Sequence, residues 1–134
     1  MFHSSPINAY RQLDLETEVI TADPHRLIQL LLDGAMGAIT DAKVQMANNN
    51  IAAKGNAISK AIDIISNGLK VSLDVEQGGD LARRLIALYD YMSVRLLHAN
   101  MRNDPGALEE VGNLLQQISE AWSDISDEAK GQGG

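Results

Sequence analysis

The feature that most constrains this chain is the recurrence of apolar residues every three or four positions in four segments of similar length. This spacing puts the apolar side chains on one face of a helix, because an α-helix turns by about 100° per residue. Short polar breaks separate the segments, at 48–50 (NNN), 76–80 (EQGGD) and 103–106 (NDPG). Amphipathic helices of this kind bury their apolar faces against one another. The sequence therefore predicts an all-α fold.

Capping residues set the predicted helix boundaries. Asp23 can accept hydrogen bonds from free amides and Pro24 suits the first helical position, and Asp104 and Pro105 repeat the arrangement. Short connections force neighbouring helices to reverse direction, so the prediction is an antiparallel up-and-down four-helix bundle over residues 21–125. The predicted helices are Pro24–Ala47, Ile51–Leu73, Asp80–Arg102 and Pro105–Ile125.

Both ends of the chain differ from the bundle. In residues 1–20, Ile7, Tyr10 and Leu13 fall three apart, which predicts a short amphipathic helical arm that caps the bundle. Residues 126–134 are polar and rich in glycine, which is typical of a disordered tail.

Composition narrows the classes of function. Hydrophobic types make up 45% of the 134 residues, enough for one core. A formal net charge of −7 argues against a nucleic-acid partner, because such binding depends on clustered Lys and Arg. No apolar run approaches the roughly 18 to 20 residues that span a bilayer, so no membrane insertion is expected. Without a secretion signal or any cysteine, a soluble cytoplasmic protein is expected.

The third predicted helix carries apolar residues on two faces. A second row, centred roughly 140° from the first, consists of residues three or four positions apart. The first row is sufficient for a bundle core, so the second, here called the outer row, is surplus to it. The first row is Leu81, Leu85, Leu88, Tyr89, Met92, Leu96 and Ala99. The outer row is Ile86, Asp90, Val94, Leu97 and Met101.

The second predicted helix shows a similar excess, whereas the fourth has a single apolar stripe. The core stripe of the second helix is predicted to be Ile58, Ala61, Ile62, Ile65 and Leu69. The remaining row contains small residues that would let another backbone approach closely. It is formed by Ala53, Ala57, Lys60, Ile64, Gly68 and Val71.

Partly exposed rows of this kind would suit an amphipathic helix or an extended segment of a partner. Two other interpretations stay open. Each helix of a bundle touches two neighbours, so Ile86 and Leu97 are more simply explained as core, and burial within the monomer fits Ile64 and Val71 equally well. Alternatively, the second rows bury against another copy in a structural, self-associating homodimer.

Patterns that indicate an enzyme or a metal centre are absent from the sequence. The Glu-x-x-His pairs of di-metal bundles do not occur, and His3, His25 and His98 lie in unrelated segments. Gly78 and Gly79 lack the Lys and Ser/Thr of a phosphate-binding loop, and no serine stands in a nucleophile elbow. We therefore expect a binding protein without cofactor, metal or catalytic residues.

Several blocks in the same order resemble FliS, the family of flagellin-specific secretion chaperones of the bacterial flagellum. The resemblance covers nearly the whole chain, with departures at Asp23, where the family usually has a small or hydroxyl residue, and at Leu32, where an aromatic is common. The matching blocks are AY at 9–10, TADPHRLIQLLLDGA at 21–35, KGNAISKAIDIISNGLKVSLD at 54–74, GGDLARRLIALYDYM at 78–92, LLHANMRND at 96–104 and LEEVGNLLQQISEAW at 108–122.

The resemblance implies an antiparallel bundle that holds the disordered C-terminal segment of flagellin in the bacterial cytosol. Such a chaperone prevents premature polymerisation and delivers its client to the flagellar type III export apparatus. Contacts with an export-gate component and with regulatory flagellar proteins are left open. The family's N-terminal arm, matched here by Ile7 and Tyr10, lies near the client surface. The residues expected to bind the partner or cover its site are Ile7, Tyr10, Ala57, Ile64, Gly68, Val71, Ile86, Asp90, Val94, Leu97 and Met101.

Overall fold

The computed structural model describes the backbone of residues 23–133 and the side chains of residues 23–125. Four helices account for nearly all of this part of the chain, and no strand occurs in it. The predicted arm over residues 1–20 lies outside the described residues. The helices are α1 (Pro24–Ala47), α2 (Ile51–Ile64), α3 (Val75–Arg102) and α4 (Pro105–Gly133). The all-α prediction is confirmed.

Capping residues begin α1 and α4 where the sequence predicts. Asp23 Oδ1 accepts a hydrogen bond from Arg26 N at 2.7 Å, and Asp104 Oδ1 accepts one from Gly106 N at 3.0 Å. These carboxylates satisfy amides that have no partner inside their helix. Between α1 and α2, Asn49 adopts a φ of 58°, so the chain reverses within three polar residues. Short connections of this type produce antiparallel neighbours.

Side-chain bonds show the order of the helices around the bundle. His25 and Lys43 near opposite ends of α1 bond to Trp122 and Glu109 of α4, which requires the two helices to run antiparallel. α1 packs against α2 and α4, and α3 packs against the same two helices from the other side. α1 and α3 are therefore diagonal, and every helix has two neighbours.

Apolar side chains of all four helices form a single core along the bundle axis. The inward faces of α1 and α4 supply much of it, and burying one large side chain stabilises the fold by about 1.5 to 3 kcal/mol. The largest fully buried side chains are Leu31, Leu32, Ile58, Ile64, Ile65, Leu69, Met92, Leu96, Leu108, Val111 and Leu115.

The second helix ends differently from the sequence prediction. A π-helical turn at Ile65–Leu69 and a 3-10 turn at Lys70–Ser72 follow α2, where one helix to Leu73 was predicted. A π-helical turn fits one extra residue into the helix, and such turns are often found near functional sites. Nothing in the 3.6-residue periodicity signals it.

The third helix begins five residues earlier than predicted. Asp74 accepts hydrogen bonds from Glu76 N and Gln77 N, which starts the helix at Val75 instead of Asp80. The helix breaks at Gly79, whose φ of 55° and ψ of −129° are outside the helical region. This is a conformation that glycine tolerates and other residues rarely adopt.

The inward face of α3 and the end of α4 also differ from the prediction. Leu81 was predicted to face the core, but it lies in the first turn after the break at Gly79 and is 67% exposed, while Ala82 is buried in its place. The backbone of α4 is helical to Gly133, past the predicted helix end at Ile125.

Candidate partner-binding surface

The outer row of α3 contains three apolar side chains that the bundle leaves largely uncovered. Val94 is 63% exposed, Leu97 52% and Met101 76%. They point away from the buried side of α3, which carries Met92 and Leu96. The spacing of three and four residues aligns the exposed side chains along one edge of the helix. Leu97 is thus outside the core, although burial within the bundle was the simpler interpretation of the sequence.

Ile86 and Asp90 complete the outer row towards the start of α3. Ile86 is half-buried, in keeping with a position at the shoulder of the core, and Asp90 is exposed. The Asp90 carboxylate forms an ion pair with Lys70 across the junction between α3 and the end of α2, with 2.7 Å between Lys70 Nζ and Asp90 Oδ1. Val71 follows Lys70 in the chain and is 54% exposed. We call Lys70, Val71 and the outer row together the α2–α3 surface.

A second polar contact holds these elements together. Ser66 Oγ in the π-helical turn lies 3.1 Å from Ser93 Oγ in α3. Val71 follows Lys70 in the chain and Val94 follows Ser93, and both valines are exposed. The end of α2 is therefore fixed beside the outer row by one hydrogen bond and one ion pair.

Three other residues of the row predicted on α2 are buried, whereas Ala53 and Lys60 are half-buried. Ala57 and Ile64 are buried in the core, and Gly68 is buried as well. A Cβ added at Gly68 would lie 3.1 Å from both Cδ atoms of Leu31, so the small residue admits a side chain of α1. Gly68 therefore faces α1. The prediction that Ala57, Ile64 and Gly68 belong to an exposed second row on α2 is wrong, and for Ile64 the alternative of burial within the monomer is the correct one.

The error has a physical cause. The buried arc of α2 is centred on Ala61, with Ala57 and Ile64 on one side of it and Ile58 and Ile65 on the other. The predicted stripe is centred on the larger aliphatic residues, so it is rotated away from α1 and includes Ile62, which is only partly buried. A helix with two packed neighbours buries a wide arc, and small residues are part of it.

Lys54 is a buried cation that the sequence analysis did not single out. It is 4% exposed, and its ammonium donates to Asn100 O at 2.9 Å and to the Asn103 side-chain oxygen. Both acceptors lie at the C-terminal end of α3, where carbonyl groups lack helical partners and the helix dipole favours a positive charge. The sequence signal for the burial of Lys54 is that it lies three residues before Ala57 and four before Ile58, both on the buried stripe. Lys54 thus joins the start of α2 to the end of α3.

Polar contacts with α4 hold the opposite flank of α3. Arg95 Nε donates to Glu110 Oε1 at 2.8 Å, and the Tyr91 hydroxyl donates to Glu110 Oε2. The hydrogen bond from Tyr91, followed by that from Arg95, lowers the pKa of Glu110 below its ordinary value. The position of α3 is therefore set from both sides, and its outer row is left facing solvent.

An apolar cavity of about 110 Å³ lies at the end of the bundle where α1 begins. Tyr89 and Leu85 of α3 line it, and burial raises the pKa of Tyr89 to about 12. Trp122 of α4 closes one side and stacks on His25, with 4.5 Å between ring centroids. His25 Nε2 is 2.7 Å from Trp122 O, and Trp122 Nε1 donates to His25 O at 2.9 Å.

The described residues contain neither a candidate metal site nor a candidate membrane span. No group of three or more His, Cys, Asp or Glu residues among them could hold a metal ion together. No helix in this part of the chain is long and apolar enough to cross a membrane. Ile7 and Tyr10, the remaining residues of the predicted site, lie outside the described residues.

Comparison with known proteins places the chain in a family. The sequence profile described as "Flagellar protein FliS" matches residues 6–129. The chain belongs to the FliS family. It is 51% identical to the flagellar secretion chaperone FliS of Salmonella typhimurium over 132 residues, 98% of both chains. It is 45% identical to FliS of Escherichia coli, covering 92% of this chain and 91% of the relative, and 43% identical to FliSB of Pseudomonas aeruginosa, covering 94% and 99%.

Membership of the FliS family of flagellar secretion chaperones confirms the resemblance seen in the sequence. The two departures from the FliS pattern have structural roles away from the α2–α3 surface. Asp23 caps α1, and Leu32 is fully buried in the core.

Proposed function

We propose that the protein is a cytosolic export chaperone that binds the disordered C-terminal segment of flagellin on the α2–α3 surface. In this role it prevents premature polymerisation of its client and aids delivery to the flagellar type III export apparatus. The observation that carries the proposal is the exposure of Val94, Leu97 and Met101 along one edge of α3 in a member of a secretion-chaperone family. Function then depends on association and dissociation, and no bond is made or broken.

Apolar burial would provide most of the binding free energy. Covering one large apolar side chain is worth about 1.5 to 3 kcal/mol before other costs are subtracted. A disordered client loses conformational entropy when it docks, so affinity requires a long contact surface. The outer row spans four turns of α3, from Ile86 to Met101, and Val71 widens the surface towards α2.

We further propose that the N-terminal arm covers part of this surface in the free protein. Ile7, Tyr10 and Leu13 have the spacing of one apolar helical face, which could cover other apolar residues and move aside when the client binds. Hydrogen exchange of the free and client-bound protein tests this, with faster exchange in residues 1–20 expected on binding. Unchanged exchange in the arm would contradict this part of the proposal.

Calorimetric titration of the purified protein with a peptide of the flagellin C-terminal segment tests the main proposal. Saturable binding is expected, together with delayed polymerisation of intact flagellin measured by light scattering. Absence of peptide binding would overturn it. A mass that doubles with concentration in sedimentation equilibrium, without any peptide affinity, would favour the alternative in which the outer row buries only against a second copy.

A further inference from the structure

Asp90 is the one ionised residue in the outer row. A purely apolar binding surface would have an apolar residue at this position. Asp90 is four residues after Ile86 and four before Val94, so its side chain lies between theirs along the same edge of α3. A segment that covers this edge must remove water from the carboxylate, which is unfavourable unless the bound segment provides hydrogen bonds in return.

The carboxylate of Asp90 has unused capacity to accept hydrogen bonds. Its Oδ1 forms an ion pair with Lys70 Nζ at 2.7 Å, and the carboxylate accepts no hydrogen bond from any other residue of the described part of the chain. The side chain of Asp90 is 54% exposed and that of Lys70 37%, so the carboxylate is the more accessible member of the pair. An ionised carboxylate can accept about four hydrogen bonds, most of which remain for a partner.

Lys70 holds this carboxylate in place. It follows the π-helical turn Ile65–Leu69 directly, and the contact between Ser66 and Ser93 fixes that turn against α3. An exposed ion pair contributes only about 0 to 1 kcal/mol to stability, which is a weak reason to interrupt an apolar row. The same pair can discriminate between partners, because a segment without a donor would leave the carboxylate unsatisfied when it docks.

We propose that Asp90 determines the specificity of the α2–α3 surface by accepting a hydrogen bond from a donor group of the bound segment, with Lys70 as its positioning residue. This inference rests on the proposed binding of the flagellin segment. The donor is a cationic side chain or a neutral N–H or O–H group. Its position relative to the apolar anchors would fix the register in which the segment lies on the outer row.

Replacing Asp90 with leucine separates this inference from a purely apolar surface, because the two predict changes of opposite sign. Asp90→Leu makes the row continuously apolar, so an apolar surface would bind the flagellin C-terminal peptide more tightly. A surface that needs the carboxylate binds it about tenfold more weakly, since a donor of the peptide is left without an acceptor. Equal or tighter binding by Asp90→Leu would overturn the inference, whereas absence of binding by the wild type would overturn the proposed function itself.

A charge exchange tests the sign of the charges while keeping the contact between α2 and α3. The double variant Lys70→Asp/Asp90→Lys retains an ion pair but presents a cation to the segment, so weaker binding is expected. The matched control is Lys43→Glu/Glu109→Lys, which exchanges a pair of similar exposure between α1 and α4, with 2.6 Å between Lys43 Nζ and Glu109 Oε1. Wild-type affinity is expected for this control. Equal affinities of both exchanged proteins for the peptide would contradict a role for Asp90 in binding it.

The role of Lys70 and the type of donor have their own readouts. Lys70→Met should weaken peptide binding and Lys70→Arg should restore it, because arginine can hold the same carboxylate. Unchanged peptide affinity in Lys70→Met would show that Lys70 does not position Asp90.

The type of donor is read from the dependence of affinity on salt and from the variant Asp90→Asn. With a cationic donor, peptide affinity falls with added salt and is lost in Asp90→Asn. With a neutral donor, affinity depends weakly on salt and Asp90→Asn still binds the peptide.

Discussion

Lys54 Nζ of α2 donates to the backbone oxygen of Asn100 in α3 at a distance of 2.9 Å, and Lys54 is buried while Asn100 is half-buried. The ammonium also donates to the side chain of Asn103, the residue that ends α3 in the left-handed conformation. A lysine from one helix thus serves as a cap for another. It fixes the end of α3 that carries Met101, the most exposed apolar residue of the outer row.

Replacing Lys54 with methionine should lower the free energy of unfolding by about 2 kcal/mol, because two acceptors at the end of α3 lose their charged donor. Urea denaturation monitored by circular dichroism measures the change. Lys60→Met is the control, since Lys60 is half-buried on the same helix and makes no hydrogen bond or ion pair with the described residues. Equal stability of Lys54→Met and the wild type would show that the cap contributes little.

The sequence left open whether Ile64 lies in the core or in an exposed row, and it placed Val94 outside the core; in the structure Ile64 is fully buried and Val94 is exposed. Ile64→Ala should destabilise the protein by about 2 to 4 kcal/mol, because the truncation leaves a cavity among fully buried side chains. Val94→Ala should stay within about 0.5 kcal/mol of the wild type, because most of the side chain is already in water. Thermal unfolding of the two variants measures the difference, and similar losses in both would contradict the assignment of the outer row.

Two helical glycines provide a paired test of close packing between α1 and α2. A Cβ at Gly37 would meet no atom within 4 Å, so Gly37→Ala should stabilise the protein by about 0.5 to 1 kcal/mol through higher helix propensity. Gly68→Val should destabilise it by about 1 to 3 kcal/mol, because the added atoms press against Leu31. Denaturant titration gives both values. A Gly68→Val protein as stable as the wild type would mean that α1 and α2 are not tightly packed at this point.

The high pKa of Tyr89 predicts a loss of stability in alkaline solution. The unfolded chain releases the phenol proton near pH 10, whereas folded Tyr89 keeps it up to about pH 12. The contribution of Tyr89 is therefore complete below pH 10 and is lost as the pH rises from 10 to 12. Tyr89→Phe should lose less stability over this interval, measured by urea denaturation at each pH. Parallel losses in variant and wild type would show that Tyr89 ionises normally when folded.

Much of the fold could be predicted from the sequence because the capping residues and the apolar periodicity of α1 and α4 indicate the same helices. Asp23 and Asp104 cap their helices as predicted, and the single apolar stripe of α4 faces the core. The π-helical turn at Ile65–Leu69 could not be predicted, since it depends on the fit of α2 against its neighbours.

The surface was predicted less completely than the fold. Val94 and Met101 were placed outside the core because they project far from the inner stripe of α3, and this geometry depends only on helical periodicity. Ala57, Ile64 and Gly68 were misplaced because hydrophobic size was used to find the centre of the stripe on α2. Periodicity gives the direction of each side chain, but the width of the buried arc depends on how many helices surround it.

The most direct test of the proposed surface compares two substitutions of exposed valine by aspartate. Val94→Asp lies in the outer row, and Val44→Asp lies on α1, where the wild-type side chain is also about half exposed. Each new carboxylate has one acidic neighbour a helical turn earlier, Asp90 or Asp41, so the local charge is matched. Calorimetry with the flagellin C-terminal peptide should show affinity at least about tenfold weaker for Val94→Asp and unchanged for Val44→Asp, with both proteins as thermally stable as the wild type. Wild-type affinity in Val94→Asp, or a collapse of its melting temperature with normal binding by the folded fraction, would contradict the account.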